Sequence, residues 1–392
     1  MRKFLFFLCT AGLLALVTAR ALLPEPMRAQ TVMAQSRDYN ILNLDLSLVP
    51  ETAGSALIAE MNGYYLFRTP TAKNAYTGAL QGKNLILICA DRWQPDLADR
   101  AACPTLYRLY QEGARVADLY RPDWYQGADG REFALLTGVI PTNVDGKTAL
   151  IHTGEQNIYL PYAIARALGA AGYDTLISYA DPAHEAFYQT IGFSSLLPAG
   201  GEDPLTRISS ERPFFLCCLW DEADGESALA ALWARLCSLG LEKSTALCIL
   251  TGNTDAHRAH LALWCDDLFA GAAVDFPCSE LDITPTLLNA FGVAYDSRFL
   301  SGRDLFAPVP QTGQASATTP LVSLYGSANS DWVTDAGSYI ADHSLFWQRD
   351  LFFETPRETS AYVNQVSDLV YDRYIFARRV MENNYFQLVF GP

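Results

Sequence analysis

Four short apolar runs punctuate the middle of the chain, at Leu85–Ala90, Thr175–Tyr179, Phe214–Trp220 and Ala246–Leu250. Each is nearly free of polar interruption, the pattern of strands in a parallel sheet covered on both faces. Between them the apolar spacing turns helical, over Cys103–Gly113, Leu160–Ala171, Ser227–Leu239 and Ile283–Phe291. Gly113, Gly172, Gly240 and Gly292 follow as C-terminal stops, where glycine takes the left-handed backbone at little cost. Strand and helix alternating at this spacing predict an α/β fold, a doubly wound and mostly parallel sheet with helices on both faces.

The flanks read differently. Residues 29–81 show no strong period and are expected to be a tether or wrapping segment ahead of the α/β domain at 82–307. Residues 308–320, PVPQTGQASATTP, are polar with proline and glycine, a linker or long surface loop. Residues 321–392 are rich in aromatics and read as a small α+β subdomain: a few antiparallel strands, a helix around Thr359–Met381 and a last strand at Tyr385–Phe390. No internal repeat is present.

The first 28 residues change the picture of where the chain works. Arg2 and Lys3 precede an uncharged run from Phe4 to Thr18, followed by Ala19, Arg20 and Ala21, a pattern that predicts a signal peptide or signal anchor. Either form places the rest outside the cytoplasm, membrane-anchored or secreted. The chain carries 28 basic and 43 acidic residues, net −15, and without residues 1–28 the balance is 24 against 42, net −18. So acidic a surface excludes nucleic acid as a partner and argues against electrostatic adhesion to anionic lipid.

Nine cysteines in an exported chain raise the question of disulfides. Cys89, Cys217, Cys218 and Cys248 lie inside the apolar runs and are expected to pack as small hydrophobes. One or two bridges among Cys103, Cys237, Cys265 and Cys278 stay open. No CxxC pair, G-x-S-x-G, P-loop or G-x-G-x-x-G occurs.

Several stretches, in order, resemble the lipoteichoic acid synthase, or phosphoglycerol transferase, branch of the sulfatase-like, alkaline phosphatase superfamily. GKNLILICADRW is similar to its first strand and first ligand loop, CPTLYRLYQEGARVADLYRP to the helix and strand that follow, and GREFALLTGVIP to the segment after the nucleophile. LPYAIARALGAAGYDTLISYADPAHEAFYQTIGF resembles the Gly-Tyr strand and its continuation. SELDITPTLLNAFGVAYDSRFLSGRDLF resembles the hallmark run in which Asp-Ile-Xaa-Pro-Thr-Leu-Leu opens a helix and Gly-Xaa-Asp-Leu ends the core. Ser279 and Asp282 can cap that helix, whose first turn accepts Pro285. The resemblance implies an extracytoplasmic phosphoglycerol transferase or phosphate/sulfate ester hydrolase. A divalent metal (manganese, magnesium or zinc) would activate a threonine hydroxyl and neutralise the phosphoryl group.

Position by position, the site departs from that pattern. The first ligand matches Asp91, a shorter carboxylate than the usual glutamate. The nucleophile falls on Ala128, with Asp129 beside it as a substitute. The Gly-Asp-His that carries two ligands falls on Gly252–Asn253–Thr254, leaving Asn253 a neutral oxygen and Thr254 no imidazole. In the substrate pocket, the phosphate arginine falls on Gln189 and the substrate histidine near Asp224. A shift of the loop by two residues would bring Asp255 and His257 into the lost places, with His260 beyond them. The other histidines, His152, His184 and His343, are expected at the surface or capping helices. Asp221, Glu222, Asp224 and Glu226 form either a solvated acidic loop or an oxygen site of the calcium type.

Three readings follow. The chain is a pseudoenzyme of the cell envelope that needs no cofactor and binds a polymer, a lipid headgroup or a protein partner through the inherited cleft. The alternative is an active metal-dependent transferase or hydrolase whose site is rebuilt from Asp91, Asp129, Asp255 and His257. A third, purely structural role would show Trp93 and Trp124 plugging the cleft.

Overall fold

The computed structural model describes residues 36–42, 44, 55–124, 126–209, 211–253, 257–309, 319–348 and 356–391. Residues 1–28, Cys9 among them, and most of 308–320 lie outside them. No helix among the described residues is long and apolar enough to cross a membrane.

Fourteen strands are described. Ten belong to the main domain: β1 (Asn84–Ala90), β2 (Ala114–Val116), β3 (Leu119–Tyr120), β4 (Asp174–Tyr179), β5 (Ser195–Pro198), β6 (Phe214–Trp220), β7 (Thr245–Thr251), β8 (Leu261–Trp264), β9 (Ala273–Val274) and β10 (Cys278–Ser279). The other four follow residue 320: β11 (Leu321–Ser323), β12 (Trp332–Thr334), β13 (Gly337–Ile340) and β14 (Leu345–Gln348). The main sheet has eight strands in the order β5-β4-β6-β1-β7-β8-β2-β9, and β3 pairs with β10 apart from it. All pairs from β5 across to β7 are parallel, and β8 is antiparallel to both its neighbours. The fold is therefore the doubly wound α/β sheet. β1 sits at its centre between β6 and β7, with Leu85 opposite Phe215 on one side and Ala246 on the other. Its side chains divide between two apolar layers: Leu85 and Leu87 face one, Ile86 and Ile88 the other. Burial on both faces is why the run shows no polar alternation.

Glycines end the helices as expected, with one exception. Gly172, Gly240 and Gly292 have positive φ, but Gly113 has φ −99°, an ordinary extended value. What requires glycine there is close approach: a Cβ would stand 2.4 Å from the Leu263 carbonyl oxygen on β8.

The hallmark run folds back upon itself. Ser279 and Asp282 form a capping box, with Ser279 N donating to Asp282 Oδ2 at 2.8 Å. Arg303 N donates to Asp282 Oδ1 at 2.7 Å and Leu305 N to Thr286 Oγ1 at 2.8 Å. At Gly302 a Cβ would meet the Leu281 carbonyl oxygen at 2.1 Å. Gly-Arg-Asp-Leu is thus the clasp of the Ile283–Ala290 helix. Ser279→Ala should cost about 1 kcal/mol of unfolding free energy, measured by urea denaturation.

Two open readings are narrowed and one expectation is corrected. The segment ahead of β1 contains a helix, Ser55–Phe67. It buries Ile58, Met61 and Tyr65, and Tyr65 stacks on Phe299 and Tyr385 with centroids 4.8 and 5.5 Å apart. Tyr385–Phe390, read as a strand, is a helix that follows the long helix Pro356–Asn383. So short a run, apolar but for Gln387, fits either period, and the burial of Tyr385 and Phe386 against Tyr65 decides it. Finally, the eight described cysteines are all free, so no bridge joins Cys103, Cys237, Cys265 and Cys278. The thiol of Cys103 instead lies 3.3 Å from the carbonyl oxygens of Asp96 and Asp99. β11 to β14 form an antiparallel sheet whose Trp332 packs with Val366 and Val370 of the long helix.

Candidate functional site

Open α/β sheets bind ligands beyond the carboxyl ends of their strands. Asp91 follows β1 there, its side chain about a quarter exposed. Its neighbour in space is the end of β7: Gly252 N donates to the Trp93 carbonyl oxygen at 2.7 Å, and a Cβ at Gly252 would stand 2.1 Å from the Asp91 carbonyl oxygen. Only glycine allows the two loops to lie so close.

Both Asp91 carboxylate oxygens are occupied by protein cations. Arg121 Nη1 lies 2.6 Å from Oδ1, and Arg131 Nε donates to Oδ2 at 3.1 Å. The Cys89 thiol donates to Oδ1 at 3.0 Å. Burial pushes the Asp91 carboxyl up, but Arg121 and then Arg131 outweigh it and hold it at about 2. Arg121 is itself buried, 1% exposed, and also donates to the Thr251 carbonyl oxygen at 3.0 Å. Behind the pair stands Glu280, fully buried, whose Oε1 accepts from Trp124 Nε1 at 2.6 Å. Burial raises its carboxyl to about 7 against the pull of Arg121 and that hydrogen bond.

The helix expected to carry the nucleophile begins at Gly127. Ala128 in its first turn is exposed and offers no hydroxyl. Asp129 does not join Asp91. Its Oδ2 accepts from Thr148 Oγ1 at 3.1 Å and its Oδ1 faces His184 Nε2 at 3.4 Å. His184 Nδ1 in turn lies 3.4 Å from Glu132 Oε2. Desolvation disfavours the imidazolium, but Asp129 and Glu132 overcome it and raise His184 to about 10. The expectation of surface histidines is corrected: His184 is 8% and His152 7% exposed, the latter with Nε2 3.3 Å from the Met381 carbonyl oxygen. The His343 side chain lies outside the described residues.

The remaining positions scatter. His257 has φ +68° and turns its ring edge-on to Tyr325, with centroids 5.9 Å apart, while its carbonyl oxygen accepts from Arg121 N at 2.6 Å. Thr254 and Asp255 lie outside the described residues, and Asn253 is half-buried. Gln189 is exposed on the Glu185–Thr190 helix. Asp224 is the N-cap of the Gly225–Leu239 helix, its Oδ1 accepting from Ser227 N at 3.1 Å. Glu226 accepts from Thr105 and Leu106 N at 2.7 and 3.2 Å and so caps the Pro104–Glu112 helix, while Asp221 pairs with Arg92. Asp224 and Glu226 of the acidic run thus serve as helix caps. Trp93 and Trp124 are both buried, Trp93 against Gly225 and Trp124 against Gly130 of the nucleophile-position helix.

A divalent metal needs several carboxylate, imidazole or hydroxyl donors converging on one point. Asp91 supplies one carboxylate already engaged on both oxygens, Ala128 supplies nothing and Asn253 only a neutral oxygen. Among the described residues no group of three His, Cys, Asp or Glu side chains comes together as a metal site would require. Among the described residues, the donor set does not fit the metal. Arg121, Arg131 and Glu280 had no assigned role in the sequence, although each lies inside a stretch that carried the resemblance.

No protein-family model matches the sequence, and no curated protein does. Solved structures do. The lipoteichoic acid synthase LtaP from Listeria monocytogenes superposes with a TM-score of 0.65 at 14% identity, covering 83% of this chain and 98% of that one. A protein of the alkaline phosphatase superfamily from Vibrio parahaemolyticus gives 0.57 at 15% identity, covering 79% and 90%. On these likenesses and its sheet order, the chain has the sulfatase-like fold of the alkaline phosphatase superfamily.

Proposed function

We propose that the chain is a non-catalytic sulfatase-fold domain of the cell envelope, exported by residues 1–28 and held at or released from the membrane. Its inherited cleft would bind an envelope polymer, a lipid headgroup or a protein partner, without a metal cofactor. The observation that carries this reading is Ala128: the first turn of the Gly127–Thr137 helix offers no nucleophile, and the nearest carboxylate, Asp129, is held by Thr148 and His184. An ester transfer through a covalent intermediate needs an activated nucleophile at that point. The same observation disfavours the rebuilt enzyme, whose Asp129 would have to leave both partners and reach Asp91.

The test is turnover of bis(p-nitrophenyl) phosphate and phosphatidylglycerol by the exported domain in manganese, magnesium or zinc. No product above the protein-free blank is expected. Metal-dependent turnover abolished by Asp91→Ala would overturn the reading.

A further inference from the structure

We infer that Arg121 is the built-in cation of the strand-end cluster, fixed by the fold where the sulfatase-like resemblance implies a bound metal. The inference shares with the proposed function the placement of Asp91 at the first-ligand position. It adds that a guanidinium performs the metal's structural role. A metal in such a site neutralises the carboxylates and ties together the loops that carry them. Arg121 does both. Nη1 contacts the Asp91 carboxylate and the Thr251 carbonyl oxygen, joining the ends of β1 and β7. Nη2 lies 3.6 Å from Cys89 Sγ, inside β1. Its backbone N–H holds the His257 carbonyl oxygen at 2.6 Å, and so fixes the far side of the loop after β7. Glu280, from the turn before the Ile283–Ala290 helix, adds a buried carboxylate to the same field. Arg131, 24% exposed, closes the cluster from the nucleophile-position helix by taking the second Asp91 oxygen.

The substitution is physically coherent. Guanidinium is planar, holds its proton throughout the working pH range and presents several donors in fixed directions, so it can bridge a carboxylate and a carbonyl. It cannot be removed by a chelator. Asp91 therefore persists as the partner of two arginines, and a metal would have to compete with a buried guanidinium at Oδ1 and with Arg131 at Oδ2.

The experiment uses the exported domain as wild type and as Asp91→Asn, Arg121→Met, Arg121→Lys and the Asp91→Asn/Arg121→Met pair. Each is melted in EDTA and in millimolar manganese, magnesium or zinc. The wild-type midpoint should be the same in all four solutions. Each single methionine or asparagine variant should melt about 5–10 °C lower, because it breaks the largely buried contact that joins the two strand ends and leaves only Arg131 or Glu280 facing the surviving charge. The double variant should lose less than the two single losses added, and Arg121→Lys, which keeps charge without the fork, should fall between. A metal-dependent rise in the wild-type midpoint that Asp91→Asn abolishes would overturn the inference, and needs no variant beyond that one. An unchanged midpoint for Arg121→Met would also overturn it. That second result leaves the non-catalytic reading standing, since turnover tests that separately.

Discussion

Arg298→Met is expected to lower the unfolding free energy by about 3–5 kcal/mol, because it strands a buried carboxylate. Asp296 has no exposed surface, and Arg298 meets it as a fork, Nε to Oδ1 at 2.9 Å and Nη2 to Oδ2 at 2.7 Å. The pair also fastens the segment ahead of β1. Asp296 Oδ2 accepts from Leu42 N at 3.2 Å, while Arg298 donates to the carbonyl oxygens of Leu42 and Leu66, both at 3.3 Å. Between them Ser297 accepts from Thr71 N and donates to the Asn40 carbonyl oxygen, each at 2.8 Å. Losing the guanidinium leaves Asp296 buried without its partner, and frees two backbone carbonyls. Denaturant unfolding measures the loss. The Asp296→Asn/Arg298→Met pair should recover part of it, since no charge is then left buried. A loss below about 1 kcal/mol would show that water reaches Asp296 and that the clasp is weaker than its geometry. The clasp thus fixes residues 36–42 against the α/β domain.

How legible the molecule was in its sequence follows from what each signal depends on. Strands β1, β4, β6 and β7 were readable because burial on both faces removes polar residues altogether, which is visible in one dimension. The Ser279–Asp282 capping box was readable because it is local. Failures came where tertiary contact decides. Ser55–Phe67 carries apolar side chains around its circumference, so no stripe stood out, and its partners Phe299, Phe376 and Tyr385 come from far along the chain. Gly113 was rightly picked as a terminator, but for a reason set by β8, 150 residues later. At the site, substitution was visible and replacement was not. Ala128 and Asn253 announce what has gone, because their side chains lack the chemistry. Arg121 announces nothing: arginine is usually exposed, and only the fold shows one that is 1% exposed between Asp91 and Thr251. His184 was misread for the same reason, since the carboxylates that bury it lie more than fifty residues upstream.

That histidine sets the second large effect, a loss of stability in alkali specific to His184. Both ring nitrogens face carboxylates, Asp129 and Glu132, with Asp181 Oδ2 3.8 Å from Nε2 and the Tyr188 hydroxyl 3.4 Å from Nδ1. Its pKa rises from 6.5 to about 10 on folding. A base raised on folding contributes fully below its unfolded pKa and loses that contribution as the pH climbs through the folded one. The window is therefore pH 6.5 to 10. Across it the wild type should lose about 3 kcal/mol relative to His184→Gln, less than the full shift because the two carboxylates share the interaction. Glu132, raised by burial, also loses stability as the pH climbs above the ordinary carboxyl range, so the comparison must be between wild type and variant at each pH rather than between two pH values alone. Denaturant unfolding across the window gives the difference, and the imidazole proton shifts give its cause. A wild type that tracks the variant from neutral to alkaline pH would mean that His184 is neutral in the folded protein. Asp129 would then have lost its cationic partner and be held by Thr148 alone, and the proposal that it is unavailable as a nucleophile would lose half its support.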